Sequence, residues 1–335
     1  MIGAGAAIFG CAGLSLTARE RDFFRDYDPL GFIVFARNID TPAQITRLTA
    51  DLRDSVGRDA PVLVDQEGGR VQRLRAPHWA EWAPPLDTVD KAGAHATQAM
   101  ALRSMVIAAE LRAVGIDANC APVADIGGPE THPFLRNRCY GQDVETVTKI
   151  ARAVADAHLE IGVLPVVKHM PGHGRSVSDT HLDLPTVTTD RATLAATDFA
   201  PFRALADLPM AMTAHIIFAA YDHLPATQSP KMIEVIRNEI GFGGLLMTDD
   251  LNMQALKGTL GERTARSMAA GCDIALHCKG EMAEMLEVAA AAGSMTDAAR
   301  ARAKAALAQR RPAKSVDIAA LKAEFSALLG EGVDG

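Results

Sequence analysis

The sequence lacks an uninterrupted apolar run of the roughly eighteen residues that a membrane-spanning helix requires. Its N-terminal segment, Met1 to Leu16, is apolar, but no positive charge precedes the apolar run, which argues against a secretory signal peptide. We interpret this segment as a buried strand. The sequence therefore predicts neither a membrane span nor a cleaved leader.

Cysteine is scarce, and its spacing argues against two common frameworks. The five cysteines are scattered along the chain, at Cys11, Cys120, Cys139, Cys272 and Cys278. No pair has the CxxC spacing of a zinc knuckle, and an odd set without regular spacing does not indicate a disulfide framework. This usage is typical of a protein from a reducing compartment.

The chain also has no excess of positive charge. It carries 34 Lys and Arg against 41 Asp and Glu, a formal net charge of -7, which argues against a nucleic-acid partner. One basic concentration lies between Arg300 and Lys314 on an Ala-rich stretch, and we interpret it as the solvated face of a helix. With 48% hydrophobic and 22% charged residues, the composition predicts a folded globular protein.

What the sequence does contain is a regular alternation of short apolar runs with longer amphipathic stretches. Eight apolar runs can be counted, at approximately Ala6 to Ala12, Gly31 to Ala36, Pro61 to Asp65, Ile116 to Ala121, Val163 to Lys168, Pro209 to His215, Leu245 to Asp249 and Cys272 to His277. They are apolar throughout, which indicates strands buried on both faces. Eight such units predict an α/β fold, a single (β/α)8 TIM-type barrel.

A doubly wound open sheet is the competing architecture. No GxGxxG follows the first apolar run, and no Pro- or Ser-rich linker divides the chain before about residue 312. We therefore expect residues 1–335 to form one barrel domain. After the break at Arg310-Arg311-Pro312, an amphipathic pattern predicts a last helix at about residues 316–329.

Polar side chains follow the apolar runs at the ends where a barrel of this type has its active site. The residues in question are Asp65, Glu67, Arg70, Arg73, Asp125, Arg138, Lys168, His169, His215, Asp249 and Asp250. Burying a polar group at the end of an apolar strand is costly unless the group is paired or contacts a ligand. Their shared position predicts one ligand-binding site.

The segment after the fifth run is the densest in chemical groups. Lys168-His-Met-Pro-Gly-His-Gly174 is followed by Asp179-Thr-His181. His169 and His173 are four residues apart, a spacing that on a helix would indicate a zinc site. The intervening Pro171 is incompatible with a helix at this point, so the sequence favours an irregular, mobile loop and does not favour a catalytic zinc.

Eight motifs occur in a fixed order along nearly the whole chain. They are Gly31-Phe-Ile-Val-Phe-Ala-Arg-Asn-Ile39, Val64-Asp-Gln-Glu-Gly-Gly-Arg-Val-Gln-Arg73, Asn119-Cys-Ala-Pro-Val-Ala-Asp125, Arg138-Cys-Tyr-Gly141, Lys168-His-Met-Pro-Gly-His-Gly174, Asp179-Thr-His181, Met212-Thr-Ala-His215 and Thr248-Asp-Asp-Leu-Asn-Met253. With these motifs the chain resembles the single-domain, NagZ-type β-N-acetylglucosaminidases of glycoside hydrolase family 3. The second domain of larger family members has no room here, which favours the compact subgroup.

The resemblance implies a retaining glycosidase, in which a carboxylate attacks the anomeric carbon and an acid protonates the departing oxygen. Asp249 is the implied nucleophile. His181 is the implied proton donor and acceptor, and Asp179 would orient its ring. An imidazole, with an ordinary pKa of about 6.5, suits both proton transfers at neutral pH. The adjacent Asp250 is expected to cap a helix that begins near Leu251.

The resemblance also implies how the sugar is held. The implied substrate-binding residues are Asp65, Arg73, Arg138, Lys168 and His169, with His215, Met253 and Asp125 as neighbours behind them. The implied substrate is terminal β-linked N-acetylglucosamine of muropeptide fragments such as N-acetylglucosaminyl-anhydro-N-acetylmuramic acid, with or without peptide. We expect a cytoplasmic monomer that acts in peptidoglycan recycling and uses no cofactor and no metal.

Three other functions are alternatives. A histidine acid/base leaves the site less negative than a carboxylate would, so phosphate could replace water and the enzyme would be a phosphorylase. A β-glucosidase-like specificity and a non-catalytic sugar-binding protein are the other two.

Four residues near the third run are interpreted as structural. Trp79 and Trp82 depart from the family pattern, and we favour them as anchors of a long loop over a platform that stacks on sugar. Glu67 and Arg70 are interpreted as an ion pair beneath that loop.

Overall fold

A computed structural model describes residues 2–176 and 184–330. Its strands are β1 (Gly5–Phe9), β2 (Pro29–Val34), β3 (Val62–Val64), β4 (Ala118–Asn119), β5 (Leu164–Met170), β6 (Thr186–Val187), β7 (Met210–Thr213), β8 (Ile217–Phe218), β9 (Leu245–Met247) and β10 (Ala275–His277). Eight of them form one parallel sheet in the order β10-β1-β2-β3-β4-β5-β7-β9. The other two, β6 and β8, pair with each other.

The eight-stranded sheet closes into a barrel. Its two end strands, β9 and β10, meet through a parallel bridge between Met247 and Ile274, and the backbone N–H of Thr248 donates to the Ile274 carbonyl at 3.0 Å. Each of the eight predicted apolar runs overlaps one barrel strand. The predicted (β/α)8 barrel is confirmed.

Helices cover the outside of the barrel. They are α1 (Ala18–Tyr27), α2 (Pro42–Val56), α3 (Pro85–Ala92), α4 (Ala96–Ala113), α5 (Pro133–Arg136), α6 (Val144–Ile161), α7 (Arg191–Ala196), α8 (Ala200–Ala204), α9 (Pro230–Glu234), α10 (Leu260–Ala270), α11 (Met282–Ala292), α12 (Asp297–Ala308) and α13 (Ile318–Leu328). The predicted helical crossovers are present. The one before β9 combines α9 with a π-helical turn, Val235–Glu239.

Local sequence explains where these helices begin and end, as α2 illustrates. The side chain of Thr41 accepts the backbone N–H of the residue three positions later, and a proline at the first helical position needs no donor. Gly57 ends the helix at φ 61°, a left-handed conformation that glycine adopts without strain. Ile45, Leu48 and Leu52 share one face and are buried in the core.

The helix α13 agrees with the prediction for about residues 316–329, and it covers the two tryptophans. Trp79 and Trp82 are only 9% and 6% exposed. The ring of Phe325, on α13, meets Trp82 edge to face with centroids 5.3 Å apart. Burial in the core excludes a sugar-stacking surface, so the interpretation of both tryptophans as loop anchors is confirmed.

A cluster of charges holds the amino-terminal end of the barrel. Asp117, which immediately precedes β4, accepts the backbone N–H of Val62 at 2.8 Å. Its other oxygen pairs with Arg53 at 2.9 Å and with Arg310 of the segment after α12. The carboxylate is 1% exposed, so three parts of the chain share one buried negative charge far from the carboxyl ends of the strands.

All five cysteines are buried and free, which agrees with the absence of a disulfide framework. Among the described residues, no helix combines the length and the apolar character that crossing a membrane requires.

Candidate active site

The carboxyl ends of the strands surround a cavity of about 270 Å³. Nine of the residues predicted from sequence line it: Asp65, Arg70, Arg73, Arg138, Lys168, His169, Asp249, Asp250 and Met253. Asp65 directly follows β3, Lys168 and His169 lie in β5, and Asp249 follows β9 by two residues. His215 and Asp125 are fully buried behind this lining. Met253, expected behind the site, reaches the cavity itself.

The predicted acid/base pair, Asp179 and His181, lies outside the described residues. The described chain ends at Ser176 on one side of this segment and resumes at residue 184 on the other. Nearby, Gly174 is packed so closely against the carbonyl of Ile126 that a side chain would clash with it.

Five charged side chains interlock on one wall of the cavity. The ammonium Nζ of Lys168 lies 2.9 Å from Asp65 Oδ1 and 2.6 Å from Glu67 Oε1. Arg138 donates from Nε and Nη2 to the two oxygens of Glu67 at 2.9 and 2.8 Å. Arg73 donates to Asp65 Oδ2 at 3.1 Å. Charge-assisted hydrogen bonds of this kind fix both partners more firmly than neutral ones do.

The pKa values of this network follow from competition between burial and pairing. Burial alone would raise the pKa of Asp65, but Lys168 and Arg73 hold it well below its usual range. Burial would likewise raise the pKa of Glu67, yet Arg138 and Lys168 lower it to about 2. For Lys168, burial favours the neutral form, but Asp65 and Glu67 raise its pKa above the usual value. These groups are therefore charged at neutral pH and present fixed charges to a ligand.

Asp125 fixes the orientation of His169. The ring Nδ1 of His169 lies 2.7 Å from Asp125 Oδ2, and the backbone N–H of His173 donates to Asp125 Oδ1 at 2.7 Å. On the other side of the ring, Nε2 lies 3.3 Å from Arg138 Nη2. An arginine can only donate, so we assign the hydrogen to Nδ1 and the acceptor lone pair to Nε2.

The carboxylate of Asp249 is held at the cavity by the backbone of the next residue. The backbone N–H of Asp250 donates to Asp249 Oδ1 at 2.8 Å. Burial alone would raise the pKa of Asp249, but the imidazoles of His215 and His169 and this backbone N–H lower it. The carboxylate is therefore ionised at neutral pH, as a nucleophile must be.

His215 supports the chain just after Asp249. Its Nε2 lies 3.1 Å from the Asp250 carbonyl oxygen, and its Nδ1 lies 2.7 Å from the hydroxyl of Thr227. A carbonyl only accepts, so Nε2 carries a hydrogen. Burial lowers the pKa of His215, and the Asp249 carboxylate opposes this change.

The expectation that Asp250 caps a helix near Leu251 is wrong. No helix begins at Leu251; residues after it form turns, and α10 begins at Leu260 with Thr259 as its cap. Asp250 Oδ1 instead accepts the backbone N–H groups of Asn252 and Cys278, both at 3.2 Å. The same short polar side chain that caps helices also stabilises turns, and sequence alone did not separate the two.

Sequence reasoning also assigned Glu67 the wrong partners. Glu67 pairs with Arg138 and Lys168. The guanidinium of Arg70 instead lies over the ring of Phe134, with its Cζ 3.0 Å from the ring centroid. A usable signal was present, because residues two apart on an extended chain point to the same side. Glu67 follows Asp65 by two and therefore faces the same cations.

Within residues 2–176 and 184–330, no group of three or more His, Cys, Asp and Glu side chains is arranged to hold a metal ion. Both ring nitrogens of His169 are already engaged, by Asp125 and by Arg138. Burial lowers the pKa of His173 to about 4, and its ring packs beside that of His169 with centroids 5.5 Å apart.

The sequence matches one protein family and its curated relatives over most of its length. The sequence model of the glycosyl hydrolase family 3 N-terminal domain matches residues 13–309. A beta-hexosaminidase of Stenotrophomonas maltophilia (strain K279a) is 36% identical over 290 residues, which cover 83% of this chain and 84% of that protein. A beta-hexosaminidase of Alkalilimnicola ehrlichii is 37% identical over 281 residues, covering 82% and 80%.

Solved structures share the fold. NagZ from Neisseria gonorrhoeae superposes with a TM-score of 0.84 at 29% identity, covering 98% of this chain and 97% of that one. A family 3 beta-N-acetylglucosaminidase from Paenibacillus sp. also gives a TM-score of 0.84 at 29% identity, covering 96% of this chain and 67% of that one.

Proposed function

Because the chain belongs to glycosyl hydrolase family 3 and is thus a glycoside hydrolase, we propose that it is a retaining exo-β-N-acetylglucosaminidase. The proposed reaction removes terminal, non-reducing β-linked N-acetylglucosamine through a covalent glycosyl intermediate on Asp249. The beta-hexosaminidases and NagZ proteins that the chain resembles support this choice of sugar.

The observation that carries the proposal is that one cavity contains both the Asp249 carboxylate and several hydrogen-bond donors held in fixed orientations. The Asp249 carboxylate lines the cavity, and its pKa is lower than usual because attraction by His215 and His169 outweighs the effect of burial. A carboxylate with this property can attack an anomeric carbon at neutral pH. The Lys168 and Arg138 donors in the same cavity suit the hydroxyl groups of a terminal sugar.

We assign the second catalytic role, the acid/base, to His181 with Asp179 as its orienting partner. Among the three described aspartates that line the cavity, Asp65 and Asp249 have lowered pKa values and cannot supply a proton. The third, Asp250, has a raised pKa, but its carboxyl group accepts two backbone N–H groups. We therefore give Asp250 a structural role.

The proposed mechanism has two steps. Asp249 attacks the anomeric carbon while His181 protonates the departing oxygen, and water then attacks the glycosyl enzyme while His181 takes its proton. The configuration at the anomeric carbon is inverted twice and so retained. We propose no metal in either step, since the ring nitrogens of His169 are engaged by protein groups.

The wider role that we propose is the cleavage of muropeptide fragments such as N-acetylglucosaminyl-anhydro-N-acetylmuramic acid, with or without peptide, in peptidoglycan recycling. In this proposal the protein is a cytoplasmic monomer, and residues 1–335 form one catalytic domain. Its resemblance to the single-domain NagZ proteins supports this assignment.

The direct test compares hydrolysis of 4-nitrophenyl N-acetyl-β-glucosaminide with that of the corresponding β-glucoside. We expect the N-acetylglucosaminide to be strongly preferred. The variant Asp249→Asn should lower kcat by about 10⁴-fold or more, the usual loss when a nucleophile is removed. The control Asp222→Asn changes a buried aspartate that binds Ser229 at 2.6 Å outside the cavity and should retain activity.

Further measurements separate the alternatives. A fluorinated substrate that slows the second step should leave a covalent adduct on the Asp249 peptide, detectable by mass spectrometry. The variant His181→Ala should lose more activity on a poor leaving group than on 4-nitrophenol, because only the former needs an acid. Accumulation of N-acetylglucosamine 1-phosphate in phosphate buffer would instead identify a phosphorylase, and equal rates on the glucoside a β-glucosidase-like enzyme.

A further inference from the structure

Glu67 is the one carboxylate of the charged wall that the proposed chemistry does not use. Its side chain is 0% exposed, and it does not line the cavity. Its two oxygens nevertheless bind two residues that line the cavity. They accept from Nε and Nη2 of Arg138 and from Nζ of Lys168. Glu67 therefore stands behind the ligand-facing residues and contacts both.

Simple charge neutralisation does not account for this arrangement. Asp65 already provides a carboxylate within 2.9 Å of the Lys168 ammonium. Glu67 adds orientation, because a carboxylate bound by two N–H groups of one arginine fixes the plane of the guanidinium. It also joins Arg138 to Lys168, which come from the α5 loop and from β5.

The same bonds determine which donors are left for a ligand. Lys168 has three N–H groups, and two of them are directed at Asp65 and Glu67. Arg138 directs Nε and Nη2 at Glu67, so its Nη1 edge is turned away from this carboxylate. Each cation thus keeps a defined donor for a hydroxyl group.

Glu67 itself is held in place from behind. Its backbone N–H donates to the Val71 carbonyl at 2.8 Å, and its own carbonyl accepts from Arg103 Nη2 at 2.6 Å. Arg103 is 1% exposed and also donates to the Thr88 hydroxyl. The loop after β3 is therefore fixed on α3 and α4, and Glu67 has little freedom to move.

We propose that Glu67 is a positioning residue for sugar binding, which holds the Lys168 ammonium and the Arg138 guanidinium in the orientations that receive the hydroxyl groups of the terminal sugar. This inference rests on the proposed function, because it concerns the sugar bound in that site. Without Glu67, the carboxylates that remain for both cations among the described residues lining the cavity are those of Asp65, Asp249 and Asp250. Lys168 would turn towards the nucleophile and be lost as a sugar ligand.

The test compares Glu67→Gln with Glu110→Gln. Glu110 is a matched control, since its side chain is 11% exposed and pairs with Lys322 at 3.3 Å, outside the cavity. We expect Glu67→Gln to raise the Kd for N-acetylglucosamine about tenfold, the effect of weakening one charge-assisted hydrogen bond. It should lower kcat/KM for the 4-nitrophenyl substrate by about 100-fold, as misplacement of binding groups does. Glu110→Gln should change neither value more than about twofold.

A double-mutant cycle tests whether Glu67 acts through its partners. If it does, Glu67→Gln should raise the Kd less in a Lys168→Met background than in the unmodified enzyme, because coupled residues are not additive. Glu67→Asp keeps the charge on a shorter side chain and should give intermediate values. If a thermal melt shows that Glu67→Gln is not folded, the KM of Glu67→Asp tests the positioning role in its place.

Two failures can be told apart. If the unmodified enzyme neither binds N-acetylglucosamine nor cleaves its glycoside, the proposed function is wrong and this inference falls with it. If the unmodified enzyme acts but Glu67→Gln and Glu67→Asp match Glu110→Gln in Kd and KM, only the positioning role is overturned. Full additivity with Lys168→Met would overturn it as well.

Discussion

Individual carboxyl groups in and around the cavity differ in which protonation state the fold favours. Asp65 and Asp249 have lowered pKa values because nearby cations and N–H groups outweigh burial. Asp250 has the opposite shift. Burial, followed by repulsion from Asp249, raises its pKa to about 6, although its two backbone donors oppose the change.

This shift at Asp250 predicts how stability depends on pH. The carboxyl group is protonated more readily in the folded than in the unfolded chain, so its favourable contribution is complete below pH 3.8 and is lost as the pH rises through about 6. That difference in pKa corresponds to roughly 3 kcal/mol, and partial solvent exposure lowers this to about 2 kcal/mol. Urea unfolding should therefore show that, between pH 4 and pH 7, the free energy of unfolding of Asp250→Asn increases by about 2 kcal/mol relative to that of the unmodified protein.

A control of opposite sign is available at Asp222. Its pKa is lowered because hydrogen bonds from Ser229 and the His223 backbone outweigh burial, so its contribution is present at neutral pH and is lost on acidification. Asp222→Asn should thus lose stability relative to the unmodified protein as the pH rises. If the difference in free energy of unfolding between Asp250→Asn and the unmodified protein is the same at every pH, the raised pKa of Asp250 is refuted.

Sequence reasoning identified residues that line the cavity better than it identified the partners of their side chains. Asp65, Lys168 and Asp249 could be named because each ends an apolar strand of a barrel. Which carboxylate pairs with which cation depends on distances between side chains from different strands, which no local pattern encodes. Glu67 was for that reason paired with the wrong arginine.

Among the elements, the barrel strands and most helices are predictable, whereas very short elements are not. The strands of the barrel are apolar throughout because both faces are buried. The two-residue strands β6 and β8 are too short to show any periodicity, and their pairing depends on the crossover that brings them together. The turns after Asp250 likewise looked like a helix start, because capping and turn formation use the same residues.

Packing of α13 onto the loop after β3 gives a prediction at this scale. Phe325 is partly buried against the core and contacts the Trp82 ring. Phe325→Ala should lower the free energy of unfolding by about 2 kcal/mol, less than the 3–5 kcal/mol that roughly describes a fully buried phenylalanine. Urea denaturation followed by tryptophan fluorescence would measure the change and report directly on Trp82.

Leu14→Ala is the matched control, since Leu14 is 45% exposed and should change stability by less than about 0.5 kcal/mol. An equal effect of the two variants would show that α13 does not stabilise the barrel through this contact.

Across the whole molecule, the two ends of the barrel carry different kinds of charge cluster. At the carboxyl ends of the strands, ionised groups face a cavity. At the amino-terminal end, Asp117 is enclosed by arginines and by the backbone of β3, with no role at the cavity. In barrels of this type the first end supports chemistry and the second supports stability.

This division predicts that Asp117→Ala damages the fold and spares the reaction. Removing the carboxylate leaves Arg53, Arg310 and the more distant Arg112, 3.7 Å away, without their shared buried partner. Breaking a buried ion pair in this way costs about 3–5 kcal/mol. Urea unfolding should show that loss, while kcat/KM for the N-acetylglucosaminide, measured where the variant is still folded, should stay within about twofold because the cavity is at the other end of the barrel.

Asp59→Ala separates burial from charge in the same cluster. Asp59 pairs with Arg53 and Arg310 as well, but its side chain is 71% exposed, so its removal should cost less than about 1 kcal/mol. The comparison therefore holds the arginines constant and changes only how deeply their partner is buried. A fall in kcat/KM for Asp117→Ala at full folding would mean that the two ends of the barrel are coupled, and the assignment of this cluster to stability alone would have to be abandoned.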